Sequence, residues 1–404
     1  MAVSLPIYLD HHATTPCDPA VVEAMLPYFT ERFGNAASRG HTFGHLARAA
    51  VEKARAEVAG LLNASPKEVL WTSGATEANN LALLGTARAG RDRGRHLITV
   101  ATEHKAVLDP MAHLEREGFE VTVLPVSAGG RVAAEAVEAA LRPDTLLVSV
   151  MAANNEIGTL QPIEEIGALC RAHGVVFHTD AAQALGKVPL DVQAASVDLL
   201  SLSAHKMYGP KGVGALYVRR GRPRLRLEPL LFGGGHERGL RSGTVPVPLV
   251  VALGRAAVLA REDLASGALE GVRRLRDRLL EGLTSRIEGL HVNGGLDHRL
   301  PNNLNLSFDG VEAEALLMAT REIAVSTGSA CTSATLEPSH VLRALGIGDT
   351  RAHGSVRFGI GRTTTAAEID HVVGLLAEKV PMLRAMNPLL ESGDGPIATT
   401  DQIG

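Results

Sequence analysis

The sequence predicts an α/β protein with a mainly parallel sheet, helices on both faces of that sheet, and a smaller α+β region after it. Between about residues 67 and 220, short runs rich in apolar residues alternate with amphipathic helical patterns, which is typical of parallel sheets. After about residue 260 the pattern changes to one long, charged amphipathic helix and several short strands separated by further helices. This second sequence pattern predicts the α+β region.

Seven runs are predicted to be the strands of the main sheet. They are nearly all apolar, as expected for strands buried on both faces. The runs are EVLWTS (68–73), HLITVA (96–101), EVTVLP (120–125), TLLVSVM (145–151), VVFHT (175–179), DLLSLS (198–203) and GALYV (214–218). Amphipathic stretches such as 107–118 and 162–174 are predicted to be helices between them.

We expect four units along the chain. Residues 1–15 are an N-terminal segment that packs with the small domain, and residues 16–260 form the large α/β domain. Residues 261–390 form the small α+β domain, which contains the predicted strands HVNG, NLNLSF and SVRFGIG. The tail, 391–404, has no apolar periodicity, and we expect it to be disordered.

Composition excludes several classes of protein. The 404 residues are 45% apolar and 21% charged with a net charge of −4, so no basic excess predicts a nucleic-acid or membrane surface. The start, MAVSLPIYLD, lacks the charge and apolar pattern of a signal peptide. The best membrane candidate, 245–260, is broken by prolines and Arg255, and three distant cysteines make no disulfide framework. We therefore expect a soluble cytoplasmic protein.

Polar residues follow five of the predicted strands. Because ligands of open α/β sheets bind at the carboxyl ends of the strands, five converging polar ends indicate a functional site. These ends are residues 72–76, 103–104, 154–156, 180 with 183, and 203–206.

Three of these strand ends together match the needs of pyridoxal 5′-phosphate (PLP). The turn in TSGATEANN (72–80) suits a phosphate, although the alternative is an ordinary helix cap. Asp180 either caps the next helix or holds a protonated nitrogen. Lys206, one of only seven lysines, is placed where desolvation makes an amine a Schiff-base nucleophile. No Walker motif and no GxGxxG after a strand are present, so ATP and dinucleotides are poor candidates.

Cys331 is the candidate nucleophile among the three cysteines. It lies in STGSACTSAT (326–335), ten consecutive small residues that cannot pack a core, so we expect an accessible loop. Cys170 follows a helical apolar pattern and, with Cys17, is expected to be inert. No metal site is predicted, because the histidines at 11, 12, 41 and 45 lack companion ligands and are expected to have structural or surface roles.

At this point the sequence resembles the PLP-dependent cysteine desulfurases of the IscS/NifS type, within the class-V aminotransferase group. The resemblance covers nearly the whole chain and implies the PLP fold-type I. Its motifs include YLDHHATTP, TSGATEANN, TEHKAV, NNEIGTLQPI, HTDAAQALGK, SLSAHKMYGPKG, GGGHERGLRSGTVP, STGSACTSATLEPS and SVRFGIGR. One departure is His11-His12, where many relatives carry Asn-Ala, and this puts fine substrate contacts near the N-terminus in doubt.

The resemblance also implies roles for individual residues. Lys206 would hold PLP covalently, Asp180 would pair with its ring nitrogen, and His104 would stack on the ring and assist proton transfer. Gln183 and Asn155 would bond the ring substituents or the substrate, and Arg357 would bind the substrate carboxylate, with Arg362 as the competing candidate. The phosphate would be bound by Ala75, Thr76, Ser203 and His205, with Thr244 reaching over from a second subunit. Cys331 would receive the sulfur.

The function implied is removal of sulfur from L-cysteine, giving L-alanine and a persulfide on Cys331. The expected partners are a second copy of the chain in a homodimer and a protein sulfur acceptor such as an iron–sulfur scaffold. Transient iron–sulfur ligation by Cys331 has little support, because no second ligand is evident in the sequence. Three alternatives remain open: a selenocysteine lyase, a PLP aminotransferase, and a PLP-free sulfur-relay protein that uses only Cys331.

Overall fold

The strands of the computed structural model, which describes residues 3–221, 225–327 and 338–386, form three sheets. The strands are β1 (Ile7–Tyr8), β2 (Val69–Thr72), β3 (His96–Val100), β4 (Glu120–Leu124), β5 (Thr145–Ser149), β6 (Val176–Asp180), β7 (Leu199–Ser203), β8 (Gly214–Val218), β9 (Leu290–Val292), β10 (Asn303–Phe308), β11 (Ile323–Ala324), β12 (Ser326–Thr327) and β13 (Ser355–Gly359). All seven strands predicted for the main sheet are present, each within two residues of its predicted ends.

The helices surround the sheets, and none in the described ranges is long and apolar enough to cross a membrane. They are α1 (Pro19–Met25), α2 (Pro27–Thr30), α3 (Thr42–Leu62), α4 (Ala75–Gly90), α5 (Lys105–Arg116), α6 (Ala134–Ala140), α7 (Ile163–His173), α8 (Val247–Ser266), α9 (Ala268–Thr284), α10 (Ala313–Ala319), α11 (His340–Ala344), α12 (Asp349–His353) and α13 (Ala366–Ala385).

The main sheet has seven strands in the order β2-β8-β7-β6-β5-β3-β4. The pairs β7–β6, β6–β5, β5–β3 and β3–β4 are parallel, and only β8 is antiparallel to its neighbours. The predicted α/β class is therefore confirmed. Because β8 runs opposite to both β2 and β7, the carboxyl ends of β2, β3, β5, β6 and β7 lie on one edge of the sheet.

Apolar cores lie on both faces of the main sheet. Adjacent residues of one strand point to opposite cores: Leu70 packs with α4 and α5, whereas Trp71 packs with α3, α7 and α8. The expectation that every run is buried on both faces is wrong for β4. This strand forms the sheet edge and Val123 is 50% exposed, because β4 has only one neighbouring strand.

The second sheet is antiparallel, in the order β12-β13-β10-β9, and packs against α9 and α13. The N-terminal segment joins this part of the molecule: β1 pairs in parallel with β11, and Ile7 and Leu9 are buried in the same core as Leu279 and Phe358. After β1 the chain passes the edge of β13, where the amide of His11 donates to the Gly359 carbonyl at 3.2 Å.

Helices α3 and α8 pack closely because their contact surface is built from small residues. Ala47, Val51, Ala54 and Val58 recur at helical spacing along α3 and are buried. Gly254 of α8 faces them, and a Cβ atom placed there would lie 2.7 Å from both the Cα and the Cβ of Ala54. A glycine is therefore required at the crossing point.

We expect Gly254→Ala to lower the free energy of unfolding by about 1–3 kcal/mol, because the added methyl group overpacks the α3–α8 contact. This cost exceeds the stabilisation that the higher helix propensity of alanine provides. Gly374→Ala is the matched control: Gly374 lies on the exposed face of α13 with no atom within 4 Å of the added Cβ. This control should raise stability by up to about 1 kcal/mol. Chemical denaturation of both variants measures the difference, and equal effects would refute the packing argument.

Candidate active site

A cavity of about 520 Å³ lies at the carboxyl edge of the main sheet. Ten of the twelve residues predicted from the sequence line it. They are Ala75, Thr76, His104, Asn155, Asp180, Gln183, Ser203, His205, Lys206 and Arg357. Thr244 is exposed and is not among the lining residues of this cavity, and Cys331 lies outside the described residues.

Asp180 stands at the end of β6 and is only 6% exposed. Its Oδ1 accepts the amide of Ala182 at 2.9 Å and closes a turn; no helix follows β6 before β7 in this described part of the chain, so the predicted helix cap is not observed. Its Oδ2 accepts Nδ2 of Asn79 at 2.7 Å. Each carboxylate oxygen can accept more than one hydrogen bond, so Asp180 retains capacity to bind a protonated nitrogen in the cavity.

Asn79 is a site residue that the sequence reasoning missed. It is fully buried on α4, and its Oδ1 has no hydrogen-bond partner among the described residues. The available signal was its position four residues after Ala75 in TSGATEANN, which places both residues on one face of the helix. Asn79 therefore orients Asp180 from the neighbouring element.

The start of α4 approaches β8 more closely than any side chain would permit. Gly214 begins β8, and a Cβ atom there would lie 2.4 Å from the carbonyl oxygen of Leu202 and 2.7 Å from the Cα of Gly74. The first amides of α4, from Ala75 onward, have no acceptor within the helix and point along its dipole. This is a cradle suited to an anion such as a phosphate.

The one carboxylate in the first turn of α4 is neutralised. Oε2 of Glu77 accepts the amide of Ser73 at 2.8 Å, and Oε1 accepts Nε of Arg241 at 2.8 Å. These contacts outweigh burial and hold the pKa of Glu77 below its usual value. The negative charge of Glu77 is thus compensated by Arg241 and does not cancel the attraction of the cradle for an anion.

His205 and Ser203 complete this end of the cavity. Nδ1 of His205 lies 3.1 Å from Oγ1 of Thr14. Burial, together with the charge of Lys206, lowers the pKa of His205 to about 4. The ring is therefore neutral at physiological pH and can take part only as a hydrogen-bonding group.

His104 enters the cavity from the start of α5. Its Nδ1 accepts the amide of Ala106 at 3.0 Å, so the proton of the neutral ring is on Nε2. Burial lowers the pKa of His104, which favours that neutral form. Beneath it, Glu103 accepts the amide of Met151 at 2.5 Å, and burial raises the pKa of Glu103 well above its usual value.

Lys206 lies in a single 3₁₀ turn directly after β7. Its Nζ donates to the carbonyl oxygens of His12 and Ala13, the second at 2.8 Å. Gln183 donates through Nε2 to the same His12 carbonyl at 3.0 Å. The N-terminal segment therefore forms the wall of the cavity against which the Lys206 amine is held.

His11 and His12 are both buried, but their side chains lie in two different environments. Nδ1 of His12 lies 3.0 Å from Oε1 of Gln183, at the cavity wall. His11 turns away: its Nδ1 lies 2.9 Å from the Gly359 carbonyl, and its ring packs edge-on against Tyr8 at 4.9 Å between centroids. Both side chains therefore have structural partners, as the sequence predicted.

Arg357 reaches the cavity from β13 and is 4% exposed. Its Nη2 pairs with Asp10 at 2.9 Å, its Nη1 donates to the Asn155 carbonyl at 3.0 Å, and its buried Nε has no partner among the described residues. The competing candidate, Arg362, pairs with Asp18 and Asp263 outside this cavity. Of these two arginines, only Arg357 therefore offers a donor to a carboxylate bound in the cavity.

Described residues on either side of segment 328–337, which contains Cys331, contact residues that line the cavity or their immediate neighbours in the chain. Before it, Ser326 pairs with Arg357 in the small sheet. After it, the Ser339 hydroxyl donates to buried Glu156, and Nε2 of His340 lies 2.9 Å from the carbonyl of Glu103.

The other two cysteines are poor nucleophiles. Cys170 is fully buried, and burial raises its pKa to about 12. Cys17 is partly exposed, and its pKa is also raised by burial. In the described part of the chain, no group of three or more His, Cys, Asp or Glu side chains is placed to bind a metal ion.

An amine-bearing lysine, a buried carboxylate and an anion cradle in one α/β cavity define a PLP-dependent class of enzyme. The family model for class-V aminotransferases matches residues 7–372. Cysteine desulfurase IscS of Anaeromyxobacter sp. (strain Fw109-5) is 61% identical over 389 residues, covering 96% of each chain. Cysteine desulfurase IscS of Methylococcus capsulatus is 58% identical with the same coverage.

Solved structures of similar fold point to the same family. A NifS-like protein is 39% identical with a TM-score of 0.87, over 94% of this chain and 100% of its own. SspA in complex with cysteine is 39% identical with a TM-score of 0.79, over 89% of this chain and 100% of its own. The chain therefore belongs to the class-V aminotransferase family and, within it, to the cysteine desulfurases.

PLP is the cofactor of this family, and the residues present fit it. Lys206 offers the amine, Asp180 the carboxylate for the ring nitrogen, and the Gly74–Gly214 contact leaves backbone amides open to a phosphate. The unpartnered Nε of Arg357 and Oδ1 of Asn79 are buried polar atoms beside the same cavity. When bound, PLP supplies an electron sink for charge that develops on the substrate.

We expect Asn79→Ala to lower kcat about tenfold with little change in PLP content, because Asp180 loses the donor that orients it. Asn80→Ala is the matched control, since Asn80 only donates to the Thr76 carbonyl at 2.9 Å on the exposed face of α4. Steady-state kinetics and cofactor absorbance measure both. Equal kcat values for the two variants would remove Asn79 from the site.

Proposed function

We propose that the chain takes the sulfur of L-cysteine onto Cys331 as a persulfide and releases L-alanine. The observation that carries this proposal is the convergence of Lys206, Asp180 and Arg357 on one cavity, together with the pairing of Arg357 with Ser326, five residues before Cys331 in the sequence. The names of the relatives, cysteine desulfurases and a protein in complex with cysteine, support the substrate.

Residues from four strand ends would hold the cofactor. Lys206 would bond it covalently, Asp180 would keep a proton on its ring nitrogen, and Gln183 would donate to its ring substituents. His104, at the start of α5, would pack against the ring. The amides of Ala75 and Thr76 and the side chains of Ser203 and His205 would bind the phosphate.

The substrate is oriented through its carboxylate. Arg357 offers an unpartnered Nε–H in the cavity and a guanidinium that carries a full charge at any physiological pH. Asn155 lies beside it and presents its side chain to the same space. The contact between Arg357 and Asp10 keeps the guanidinium in place before substrate arrives.

Two groups of this chain then act on the substrate. The Lys206 amine, freed when the substrate amine takes its place, would remove the α-proton, hold it at Nζ and return it to the α-carbon. The Cys331 thiolate attacks the substrate sulfur, a sulfur–sulfur bond forms, and the pair of electrons from the broken carbon–sulfur bond passes to the substrate carbon, which is protonated to give alanine. His104, neutral and with its proton on Nε2, is placed to assist these proton transfers.

A homodimer completes the site in this proposal, with Thr244 contacting the phosphate of the other subunit. Residues 233–244 are anchored on their own chain by the Arg55–Glu237 pair at 2.8 Å, yet Thr244 faces solvent. Phe33 and Phe232 are 63% and 80% exposed, which suits burial against a second copy. The roles given to the site residues are part of this proposal. So is the division of the chain into four units, with boundaries at residues 15, 260 and 390.

The persulfide is passed to a protein acceptor, and we propose an iron–sulfur scaffold in the cytoplasm. Cys331 lies in a run of ten small residues, a composition that favours a thiol accessible to a docked protein. Acceleration of sulfide use by a purified scaffold, compared with dithiothreitol alone, measures this transfer.

Arg357→Ala should raise KM for L-cysteine roughly 10- to 100-fold, the expected loss for a charge-assisted hydrogen bond of about 1.5–3 kcal/mol. Arg357→Lys should recover part of the loss, because it keeps the charge but not the planar fork. Arg362→Ala is the control: its pairs with Asp18 and Asp263 contribute to stability, so KM should stay near that of the wild type. A larger KM effect at Arg362 would overturn the assignment.

Cys331→Ser should stop alanine release while L-cysteine still binds and changes the cofactor absorbance. A serine hydroxyl stays protonated and cannot carry a persulfide. Cys17→Ser and Cys170→Ala should keep wild-type persulfide formation, because neither thiol lines the cavity. Mass spectrometry after L-cysteine treatment locates the extra sulfur. Alanine formation by Cys331→Ser at the wild-type rate would disprove the proposed function.

A further inference from the structure

A buried lysine, Lys187, lies near the half-buried Lys206. Only 6% of Lys187 is exposed, and its Nζ donates to two acceptors of one residue: the carbonyl of Gln183 at 3.1 Å and Oε1 of the same side chain at 3.3 Å. Neither acceptor is a carboxylate. Lysines are almost never fully buried unless a carboxylate accompanies them, so this placement requires an explanation.

Hydrogen bonds connect the two amines. Gln183 accepts from Lys187 through Oε1 and donates through Nε2 to the His12 carbonyl at 3.0 Å. Lys206 donates to that same carbonyl oxygen. Both lysines also line a second, small cavity of about 30 Å³.

The electrostatic environment of Lys187 is also unusual. Burial, and next the charge of Lys206, lowers the pKa of Lys187 to about 7. The other ionisable groups around it are His11, His12, His205, Tyr208, and the Asp263–Arg362 pair. Burial lowers the pKa of the three histidines and raises that of Tyr208, and Asp263 is paired at 3.0 Å. None of these groups therefore places an uncompensated negative charge beside Lys187.

We propose that Lys187 is a positioning residue for Lys206: through Gln183 it fixes the carbonyl that holds the Lys206 amine, and protonation of either lysine opposes protonation of the other. This rests on the proposed role of Lys206 in the desulfurase reaction. The coupling is reciprocal, because the same repulsion energy between the two ammonium groups lowers the pKa of each lysine. Lys187 thereby favours the neutral Lys206 amine, which is the reactive form.

The sign of the effect follows from the like charges. Removing the Lys187 cation lets Lys206 keep its proton to higher pH, so less reactive amine is present near pH 7. Lys187 also affects folding: its pKa is lower in the folded chain than in the unfolded chain, so the unfolded state binds more protons between about pH 7 and 10. Stability should therefore rise with pH across this window in the wild type and rise less in Lys187→Met.

The direct test is an NMR titration of the full chain, freed of PLP and labelled with ¹³C at lysine Cε, where only seven signals are expected. Lys187 should titrate with a midpoint near 7, and this midpoint should move up by about one pH unit in Lys206→Ala. Lys53, whose side chain is 78% exposed, is the internal control and should not move. A Lys187 midpoint near 10, or one unchanged in Lys206→Ala, would overturn the proposal.

A kinetic arm separates positioning from a purely structural role. The rate at which the chain, freed of PLP, captures PLP depends on the neutral Lys206 amine, so its rise with pH should move to higher pH in Lys187→Met. In Lys187→Arg, which keeps a cation, the rise of the capture rate with pH should stay where it is in the wild type or move to lower pH. Lys53→Met serves as the control. A uniform loss of rate at every pH, with no shift, would contradict the coupling.

The two proposals fail separately. If Lys206→Ala still formed alanine, the desulfurase mechanism would be wrong even with the lysine coupling intact. If the NMR midpoints showed no coupling while Lys206→Ala was inactive, only the role of Lys187 would be lost. Should Lys187→Met not fold, the comparison of wild type with Lys206→Ala still decides the question.

Discussion

The carbonyl oxygen of His12 is the contact on which the arrangement of the site depends. It accepts the amine of Lys206 and the amide of Gln183, one from the chain after β7 and one from the chain after β6. The same N-terminal segment bonds to β13 at Gly359 and to the chain after β7 through Thr15 and His205, at 2.9 Å. One short stretch of backbone therefore fixes the main sheet and the small sheet relative to each other, and the cavity lies between them.

The site brings charged groups into a poorly solvated space, and each is accommodated differently. Arg357 has a carboxylate partner in Asp10, and Asp180 accepts two hydrogen bonds. Glu103 and Lys187 have no ion-pair contact among their hydrogen bonds, and burial shifts the pKa of each toward its neutral form. Burial of unpaired charge is costly, so these solutions depend on the large apolar cores on both faces of the sheet.

Most of the main sheet could be predicted, because apolar runs of four to seven residues between helical patterns are a local signal. The edge position of β4 could not, since its exposure depends on which strands pair and not on its own residues. Ten predicted residues share one cavity because parallel strands present their carboxyl ends together. Asn79 was missed because its partner, Asp180, lies 101 residues further along the chain.

The sequence by itself determined the strand–helix alternation, the polar strand ends and the chemistry that they indicate, because periodicity and residue type are local properties. Only the tertiary structure decided which side chains face the cavity. It turned His12 toward Gln183 and His11 away, and it placed Arg357 in the site and Arg362 outside it. It also brought Lys187 near Lys206. Such choices depend on packing between segments hundreds of residues apart, which no local pattern encodes.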